Sequence, residues 1–328
     1  MATKSIVLLL VGLAFASVHS AEAQQPAKVP RIGYLTALQL SASAARTEAF
    51  RQGLRDLGYV EGKNIIIEWR SADGNEDRLP ALAAELVQLK VDIIVTGGAA
   101  VTRPVKAATS TIPIVMTQDR DPVSSGFVAS LARPGGNITG LSTLSPELSG
   151  KQLELLKETV PKLSRVAVFG TSTRPEVAQE LREVELAAGA LGVKLQYLDV
   201  LTANDIETAF RAAVKGQAEA VLFRVLGPIL SPHRTEVAAL AVKSRLPVMH
   251  ERAPEVEAGG LMSYGVNLSD LDRRTATYVD KILKGAKPAD LPVEQPIKFD
   301  FIINLKASEQ IGLTIPPNVL ARADKVIR

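Results

Sequence analysis

The stretch DIIVTGGAAVTRPVKAATSTIPIVMT, residues 92–117, carries the clearest signal for the fold. It opens with the apolar run Asp92–Thr96, turns at two glycines, continues through the helical pattern Val101–Ala108 and closes with a second apolar run, Ile112–Thr117. Two apolar runs joined by a helix are typical of a βαβ unit. Continuous rather than alternating apolar runs indicate parallel strands that are buried on both faces.

The same alternation of short apolar runs and helical patterns extends in both directions from this stretch. Further predicted strands are Arg31–Leu35, Asn64–Trp69, Ile138–Ser142, Arg165–Gly170, Lys194–Val200, Ala220–Val225 and Pro247–His250. The series pauses at the Gly- and Pro-rich residues 133–150 and then restarts, which indicates a crossing between two domains. We therefore predict an α/β protein with two doubly wound parallel-sheet lobes. A single closed eight-stranded barrel is the alternative at this point.

Two further helices are predicted from the residues at their ends. Asp121 followed by Pro122 is a typical helix start, so the sequence predicts a helix over Pro122–Leu131. A second helix is predicted over Leu268–Lys284, with Asp270 and Asp272 near its start and lysines near its end, as the helix dipole favours. The prolines that follow it predict an extended linker before a strand at Ile297–Ile303.

The first residues have the layout of a secretory signal peptide. Lys4 precedes the eleven-residue apolar run Ile6–Ala16, and Ala21-Glu22-Ala23 places small residues where a signal peptidase cuts. Eleven apolar residues are too few to span a bilayer, which needs roughly 20. We expect residues 1–23 to be removed before Gln24, with no stable membrane insertion afterwards. Because the sequence has no cysteine, no lipid anchor can be attached, and a periplasmic protein is expected.

Composition excludes several functional classes. The chain has 328 residues, 38 Lys and Arg against 35 Asp and Glu, no cysteine and three histidines. A net charge of +3 gives no electrostatic case for nucleic acid. The absence of cysteine excludes disulfides, thiolate catalysis and Cys-ligated metals. No Gly-x-Ser-x-Gly elbow, P-loop or dinucleotide fingerprint occurs, so we predict no catalytic residues, no metal and no cofactor.

Candidate binding residues follow the predicted strands, because ligands of open α/β sheets bind outside the carboxyl ends of the strands. Glycines after the third strand let backbone N–H groups approach a ligand, and the helix start that follows favours a carboxylate. Glu251 or Asp121 is expected to hold an amino group. The candidates are Thr36, Ala37, Gly97, Gly98, Ala99, Asp121, Thr171, Ser172, Leu226, Gly227 and Glu251.

The string DPVSSGFVASLARPGGNITGLS, residues 121–142, closely resembles the signature of a family of ABC-transporter solute-binding proteins that includes tryptophan and tyrosine binders. RIGYLTA at the start of the mature chain and INLKASEQIGLTIPPNVLARADKVI at its end are also similar to that family. The resemblance implies a type I periplasmic-binding-protein fold with two lobes joined by three crossings. The resemblance also implies the partners of the protein: a small-molecule solute in the cleft, and the permease and ATPase subunits of an ABC transporter. It adds Gly265 to the candidate binding residues.

The lobe boundaries that follow are 24–142 with about 269–298 for the first lobe, and 143–268 with about 299–328 for the second. One departure concerns the loop after the third strand. Family members that bind aromatic amino acids often have Thr-Pro or Ser-Pro there, whereas this chain has Gly98-Ala99-Ala100, which argues against an aromatic amino acid. A periplasmic sensor subunit that signals to a membrane receptor remains the alternative function. An exported enzyme on the same fold is disfavoured by the missing nucleophile and base.

Overall fold

A computed structural model describes residues 28–143, 145–173, 175–224 and 227–328. Its first sheet contains the strands β1 (Arg31–Thr36), β2 (Ile66–Ser71), β3 (Ile93–Thr96), β4 (Ile114–Asp119) and β5 (Ile138–Ser142). They lie in the order β2-β1-β3-β4-β5, and every neighbouring pair is parallel. The βαβ unit predicted from residues 92–117 forms the centre of this sheet.

The second sheet is built from later parts of the chain. Its strands are β6 (Arg165–Gly170), β7 (Lys194–Asp199), β8 (Ala220–Phe223), β9 (Val248–His250), β10 (Met262–Val266), β11 (Phe299–Asn304) and β12 (Lys325–Ile327). The order is β12-β11-β10-β9-β8-β6-β7, with β10 and β11 antiparallel and all other neighbours parallel. Two separate sheets exclude the single eight-stranded barrel and confirm the predicted fold class.

Helices cover both faces of each sheet. Because successive side chains of a strand point to opposite faces, Ile94 of β3 joins one buried cluster while Ile93 and Val95 join another. The helices are α1 (Ala44–Asp56), α2 (Leu79–Gln88), α3 (Ala99–Ala108), α4 (Ser145–Thr159), α5 (Pro175–Leu191), α6 (Asp205–Lys215), α7 (Gly227–Leu230), α8 (Arg234–Ser244), α9 (Ala253–Glu257), α10 (Leu268–Leu283), α11 (Leu305–Ile311) and α12 (Pro317–Leu320).

The chain passes between the sheets three times: after β5, after β10 and before β11. The second passage returns α10 to the first sheet, where it packs against α1. That contact is close at Gly53, where a Cβ atom would lie 2.2 Å from the carbonyl oxygen of Arg273. The residue numbers given for the lobe boundaries stay a prediction.

The segment Pro122–Leu131 forms turns, so the predicted helix there is wrong. Asp121 behaves as a cap, since its Oδ1 accepts hydrogen bonds from the backbone N–H groups of Val123 at 3.2 Å and Ser124 at 3.0 Å. The chain then reaches Gly126 with φ +71°, a left-handed conformation that ends the first turn. A favourable cap and first residue therefore did not suffice to propagate a helix.

Candidate functional site

A cavity of about 220 Å³ lies between the two sheets, at the carboxyl ends of β3, β4, β9 and β10. Loops from both sheets and the starts of two helices contribute to its wall. Its lining residues are Ala37, Leu38, Arg46, Glu76, Gly97, Gly98, Ala99, Ala100, Gln118, Arg120, Asp121, Ser125, Thr143, Leu148, Gln152, Ser231, Glu251, Arg252, Gly265, Val266 and Leu268.

The structure brings seven of the sequence-predicted site residues together around this cavity: Ala37, Gly97, Gly98, Ala99, Asp121, Glu251 and Gly265. Six of them follow β1, β3, β4 and β9, as expected from their positions after predicted strands, and Gly265, which the family resemblance added, lies in β10. Glycine at position 265 has a steric reason. A Cβ atom there would lie 2.0 Å from the carbonyl oxygen of Glu251, so a larger residue would push apart the two strand ends.

Three predicted site residues lie outside the lining set: Thr36, Thr171 and Ser172. Their side chains form hydrogen bonds with neighbouring backbone and side-chain groups instead. Thr36 Oγ1 accepts from the N–H of Leu38 at 3.2 Å. Thr171 Oγ1 donates to the carbonyl of Val200 at 2.9 Å, and Ser172 Oγ donates to Asp199 at 2.5 Å. Leu226 lies outside the described residues, and Gly227 is the first residue of α7.

The start of α3 faces the cavity through Gly97, Gly98 and Ala99. Gly98 is the N-cap with φ 92° and ψ 162°, and no side chain caps the helix there. Its carbonyl accepts from the N–H groups of Val101 and Thr102. The first N–H groups of any α-helix have no carbonyl acceptor within the helix, and the helix dipole adds positive potential. This end of the cavity therefore favours an anionic group.

Arg46 of α1 is a lining residue that the sequence argument missed. Its Nε donates to Asp272 Oδ2 at 2.6 Å, and its side chain is only 16% exposed. Gln118 faces it with the amide oxygen, 2.7 Å from Arg46 Nη2. Burial works against the charge of Arg46, but the carboxylate of Asp272 outweighs it and raises the pKa of the guanidinium above its usual range. The cation is thereby fixed at the cavity wall.

The structure gives Asp272 a different role from the predicted one. From the sequence, Asp272 is an acidic residue near the start of α10 that complements the helix dipole. In the structure it is buried, with 1% of its side chain exposed, and also accepts a hydrogen bond from the hydroxyl of Tyr34 at 3.2 Å. Its function is therefore to neutralise Arg46 from the opposite helix.

Arg120 connects the two sides of the cleft. It follows β4 of the first sheet, yet its Nη1 donates to Glu180 of α5. Its Nη2 lies 3.1 Å and 3.0 Å from the two oxygens of Glu251, which follows β9 of the second sheet. Arg224, after β8, lies behind both carboxylates with Nη1 3.5 Å from Glu251 and 3.8 Å from Glu180. Two carboxylates and two guanidiniums thus meet at one point of the wall.

The second sheet adds a further cation, Arg252. Its Nη2 is 3.5 Å from Ser231 Oγ and 3.3 Å from Glu255 Oε1. Glu255 is also 3.5 Å from Nε of Arg234. Arg252 is therefore held by groups of its own lobe, unlike Arg120. Gln118, Arg120 and Arg252 follow predicted strands, Ile112–Thr117 and Pro247–His250, and were recognisable from that position, whereas Arg46, Gln152 and Ser231 carry no local signal.

Charges in the lining set balance, with three arginines (46, 120 and 252) and three acidic residues (Glu76, Asp121 and Glu251). Among the lining residues that the structure describes, none is aromatic and none is histidine. The described residues contain no group of three or more histidine and acidic side chains placed to hold a metal ion. A wall with balanced charges suits a neutral or zwitterionic solute, because an ion of either sign would find opposed fields.

Comparisons with known proteins agree with this architecture. A model of the family described as ABC transporter substrate binding protein matches residues 32–327. The tyrosine-binding protein of Clostridioides difficile (strain R20291) is 26% identical over 258 residues, which are 78% of this chain and 73% of that protein.

Two solved structures share the fold over nearly all of their length. A conserved domain protein from Vibrio cholerae is 30% identical, with a TM-score of 0.84, covering 91% of this chain and 100% of the other. An ABC domain from Streptococcus pneumonia, in complex with L-Trp, is 26% identical, with a TM-score of 0.83, covering 91% of this chain and 99% of the other.

Proposed function

The chain belongs to the family of ABC transporter substrate-binding proteins, and from that membership we propose that it is the exported solute-binding protein of an ABC uptake transporter. Substrate-binding proteins of this kind bind solutes and are not enzymes. The solute we propose is a small α-amino acid or a related carboxylate, held in the cavity between the lobes. The observation that carries this proposal is the charge-balanced lining contributed by both lobes, with an open helix start at one end.

The carboxylate of the solute is placed at the start of α3. Gly98 exposes backbone N–H groups without a side chain in front of them, and a Cβ atom at Gly97 would already lie 3.0 Å from the side-chain amide of Gln118. Backbone N–H groups at a helix start bind a carboxylate in a fixed orientation. The amino group is assigned to Asp121 or Glu251, which line the same cavity.

The relatives support this solute class. One is a tyrosine-binding protein and another was solved with L-Trp. The cavity volume of about 220 Å³ is below the roughly 300 Å³ at which pockets for drug-sized ligands begin. Together with the lack of aromatic groups in the described lining and the Gly98-Ala99 loop, this volume favours a small aliphatic or polar amino acid over an aromatic one.

The test is a thermal-shift screen of the ligand-stripped mature protein against amino acids, carboxylates, nucleosides and aromatic acids. A ligand at 100 times its Kd adds about 2.7 kcal/mol to stability, which raises Tm by several degrees. We expect hits confined to α-amino acids or carboxylates, without chemical change of the compound. Hits confined to nucleosides or other compounds without a carboxylate would contradict the proposed solute class.

Gly98→Ala tests the placement of the carboxylate. The φ and ψ of Gly98 lie in a region that only glycine populates readily, so alanine distorts the helix start. We expect the Kd of the solute found in the screen to rise about tenfold, the equivalent of roughly 1.4 kcal/mol. Gly58→Ala is the matched control, because Gly58 also has a positive φ, +87°, and open space around it, but lies outside the lining set. Equal affinity of the two variants would refute the placement.

Export through the signal peptide is also part of the proposal. The supporting observation is the layout of residues 1–23, with the run Ile6–Ala16 and the Ala21-Glu22-Ala23 site. In the part of the chain that the structure describes, no helix has the length and apolar character needed to cross a bilayer. Intact-mass measurement of the protein from the periplasmic fraction is expected to give a chain that begins at Gln24. A chain that retains residues 1–23 in the cytoplasm would contradict export.

Coupling to a permease and an ATPase is tested with a candidate ABC permease and its ATPase from the same source, reconstituted in vesicles. We expect the solute-loaded protein to stimulate ATP hydrolysis and solute uptake. Stimulation of a receptor kinase with no effect on any transporter would instead support a sensor subunit.

A further inference from the structure

The side chains around Arg120 are divided unequally between the lobes. Glu180, Arg224 and Glu251 all belong to the second lobe, and only Arg120 comes from the first. Glu180 and Arg224 are almost fully buried, with 2% and 1% of their side chains exposed, whereas Glu251 and Arg120 are 13% and 27% exposed towards the cavity. The second lobe therefore holds a pocket of two carboxylates whose fourth member arrives from across the cleft.

Arg120 provides most of the hydrogen bonds in this pocket. Arg224 donates one long hydrogen bond, from Nη1 to Glu251 Oε1 at 3.5 Å, and within the described part of the chain its Nε and Nη2 have no hydrogen-bond partner. Arg120 directs one nitrogen to Glu180 and the other to both oxygens of Glu251. A guanidinium with two nitrogens directed at two carboxylates makes the paired, charge-assisted hydrogen bonds for which arginine is suited.

The charges around the two carboxylates also favour Arg120. Arg224 and Arg252 of the second lobe act on Glu251 as well, but neither holds Glu180 and Glu251 together by hydrogen bonds as Arg120 does. Burial raises the pKa of the Glu180 carboxyl despite the neighbouring guanidiniums, which shows how unfavourable this site is for an uncompensated anion. Two buried carboxylates side by side therefore favour a cation that reaches both of them.

We infer that Glu180, Glu251 and Arg224 form a guanidinium receptor in the second lobe, and that Arg120 of the first lobe fills it when the lobes close. Arg120 thereby acts as a specificity-determining residue, because it excludes a cationic group of a solute from the two carboxylates. Closure and this ion pair are coupled, since Arg120 reaches the receptor only when the two lobes face each other. The inference rests on the proposed function and narrows it: the amino group of the solute is held by Asp121 rather than by Glu251.

Arg120→Ala with ethylguanidinium as the probe tests the receptor directly. The substitution leaves Cβ in place and removes the atoms that ethylguanidinium replaces. We expect the Tm of the full-length mature Arg120→Ala protein to fall, and millimolar ethylguanidinium chloride to raise it by several degrees. Ethylammonium chloride at the same concentration is expected to have a much smaller effect, because it lacks the planar pair of donors.

Arg252→Ala is the matched control. It removes a lining arginine that is held by its own lobe, so it creates no vacancy between two carboxylates of the opposite lobe. Wild type and Arg252→Ala are expected to show no stabilisation by ethylguanidinium beyond that given by ethylammonium. A response of the same size in all three proteins, or no selective response in Arg120→Ala, would overturn the receptor.

Glu180→Gln provides a second test that does not depend on the folding of Arg120→Ala. It keeps the shape of Glu180 and removes the charge that Arg120 pairs with. We expect small-angle scattering of the ligand-free protein to show a larger radius of gyration than wild type, because closure loses its ion pair. An unchanged radius would contradict the coupling between closure and the receptor.

Different experiments would refute the guanidinium receptor and the proposed solute class. Selective rescue of Arg120→Ala by ethylguanidinium needs no knowledge of the solute, so it supports the receptor even if the amino-acid screen finds nothing. A hit among α-amino acids together with an unselective response of Arg120→Ala supports the proposed function and refutes the receptor. Cationic solutes such as agmatine are expected to bind Arg120→Ala and not wild type.

Discussion

His250 is a buried group whose titration makes the stability of the protein depend on pH. It is 2% exposed, its ring centroid lies 5.1 Å from that of Phe223, and a Cβ atom at Gly260 would lie 2.5 Å from its Nε2. Neither ring nitrogen has a hydrogen-bond partner among the described residues. Burial lowers the pKa of His250 from 6.5 to about 4, although the nearby carboxylates of Glu255 and Glu251 act in the opposite direction.

The direction of the pH effect follows from proton uptake. Below pH 6.5 the unfolded chain binds a proton at this histidine, whereas the folded protein does not until about pH 4. The stability contributed by a neutral His250 is therefore fully present above pH 6.5 and is lost progressively down to pH 4. At about 1.36 kcal/mol per pKa unit, the loss over that interval is roughly 3 kcal/mol.

The comparison to make is wild type against His250→Leu by urea denaturation at several values of pH between 7 and 4. We expect the difference in unfolding free energy to shift by roughly 3 kcal/mol in favour of the variant as the pH falls. His233→Gln is the control for the loss of a histidine, because the His233 side chain lies at the surface, 36% exposed, and the variant keeps His250. If wild type and His250→Leu lose stability in parallel, the histidine is not held neutral and the reasoning fails.

Three further substitutions have expected effects on stability. Gly53→Ala brings a Cβ atom to 2.2 Å from the carbonyl oxygen of Arg273, so we expect a lower urea midpoint and a disturbed α1–α10 contact. Asp272→Ala leaves the buried guanidinium of Arg46 without its carboxylate, and calorimetry is expected to show a loss of about 3–5 kcal/mol. Phe210→Ala empties part of the second-lobe core, where the ring is 1% exposed, and is expected to cost about 3–5 kcal/mol by urea denaturation, with the cavity between the sheets unchanged.

Ten of the twelve strands that the structure describes were predictable from the local sequence, whereas β10 (Met262–Val266) and β12 (Lys325–Ile327) were not predicted. Runs such as Ile112–Thr117 are short, apolar and bounded by turn residues, and parallel strands covered on both faces require such runs. The predicted strand and helix bounds differ from the structure by a few residues at most sites. The failure at Pro122–Leu131 has a local cause, since Gly126 with a positive φ stops the turn that Asp121 begins.

The site was predictable only where it follows strand ends. Gly97, Gly98 and Glu251 lie directly after buried strands, so topology alone places them at one edge. Arg46 and Gln152 lie within helices, and nothing near them in the sequence distinguishes them from surface residues. Their positions depend on partners far along the chain, such as Asp272 for Arg46. Such long-range pairs cannot be inferred from a single sequence.

The return of α10 to the first sheet determines when the protein can fold during its synthesis. Leu271 and Tyr278 of that helix share a buried cluster with Ile32 of β1, so the first core is incomplete until the ribosome has passed residue 283. The second core waits longer, because β11 and β12 lie at the end of the chain. Because both cores need late segments of the chain, neither half can complete its fold early in translation. The long-range contacts also predict slow folding after release. An isolated half would have to be made by joining two distant stretches of the gene.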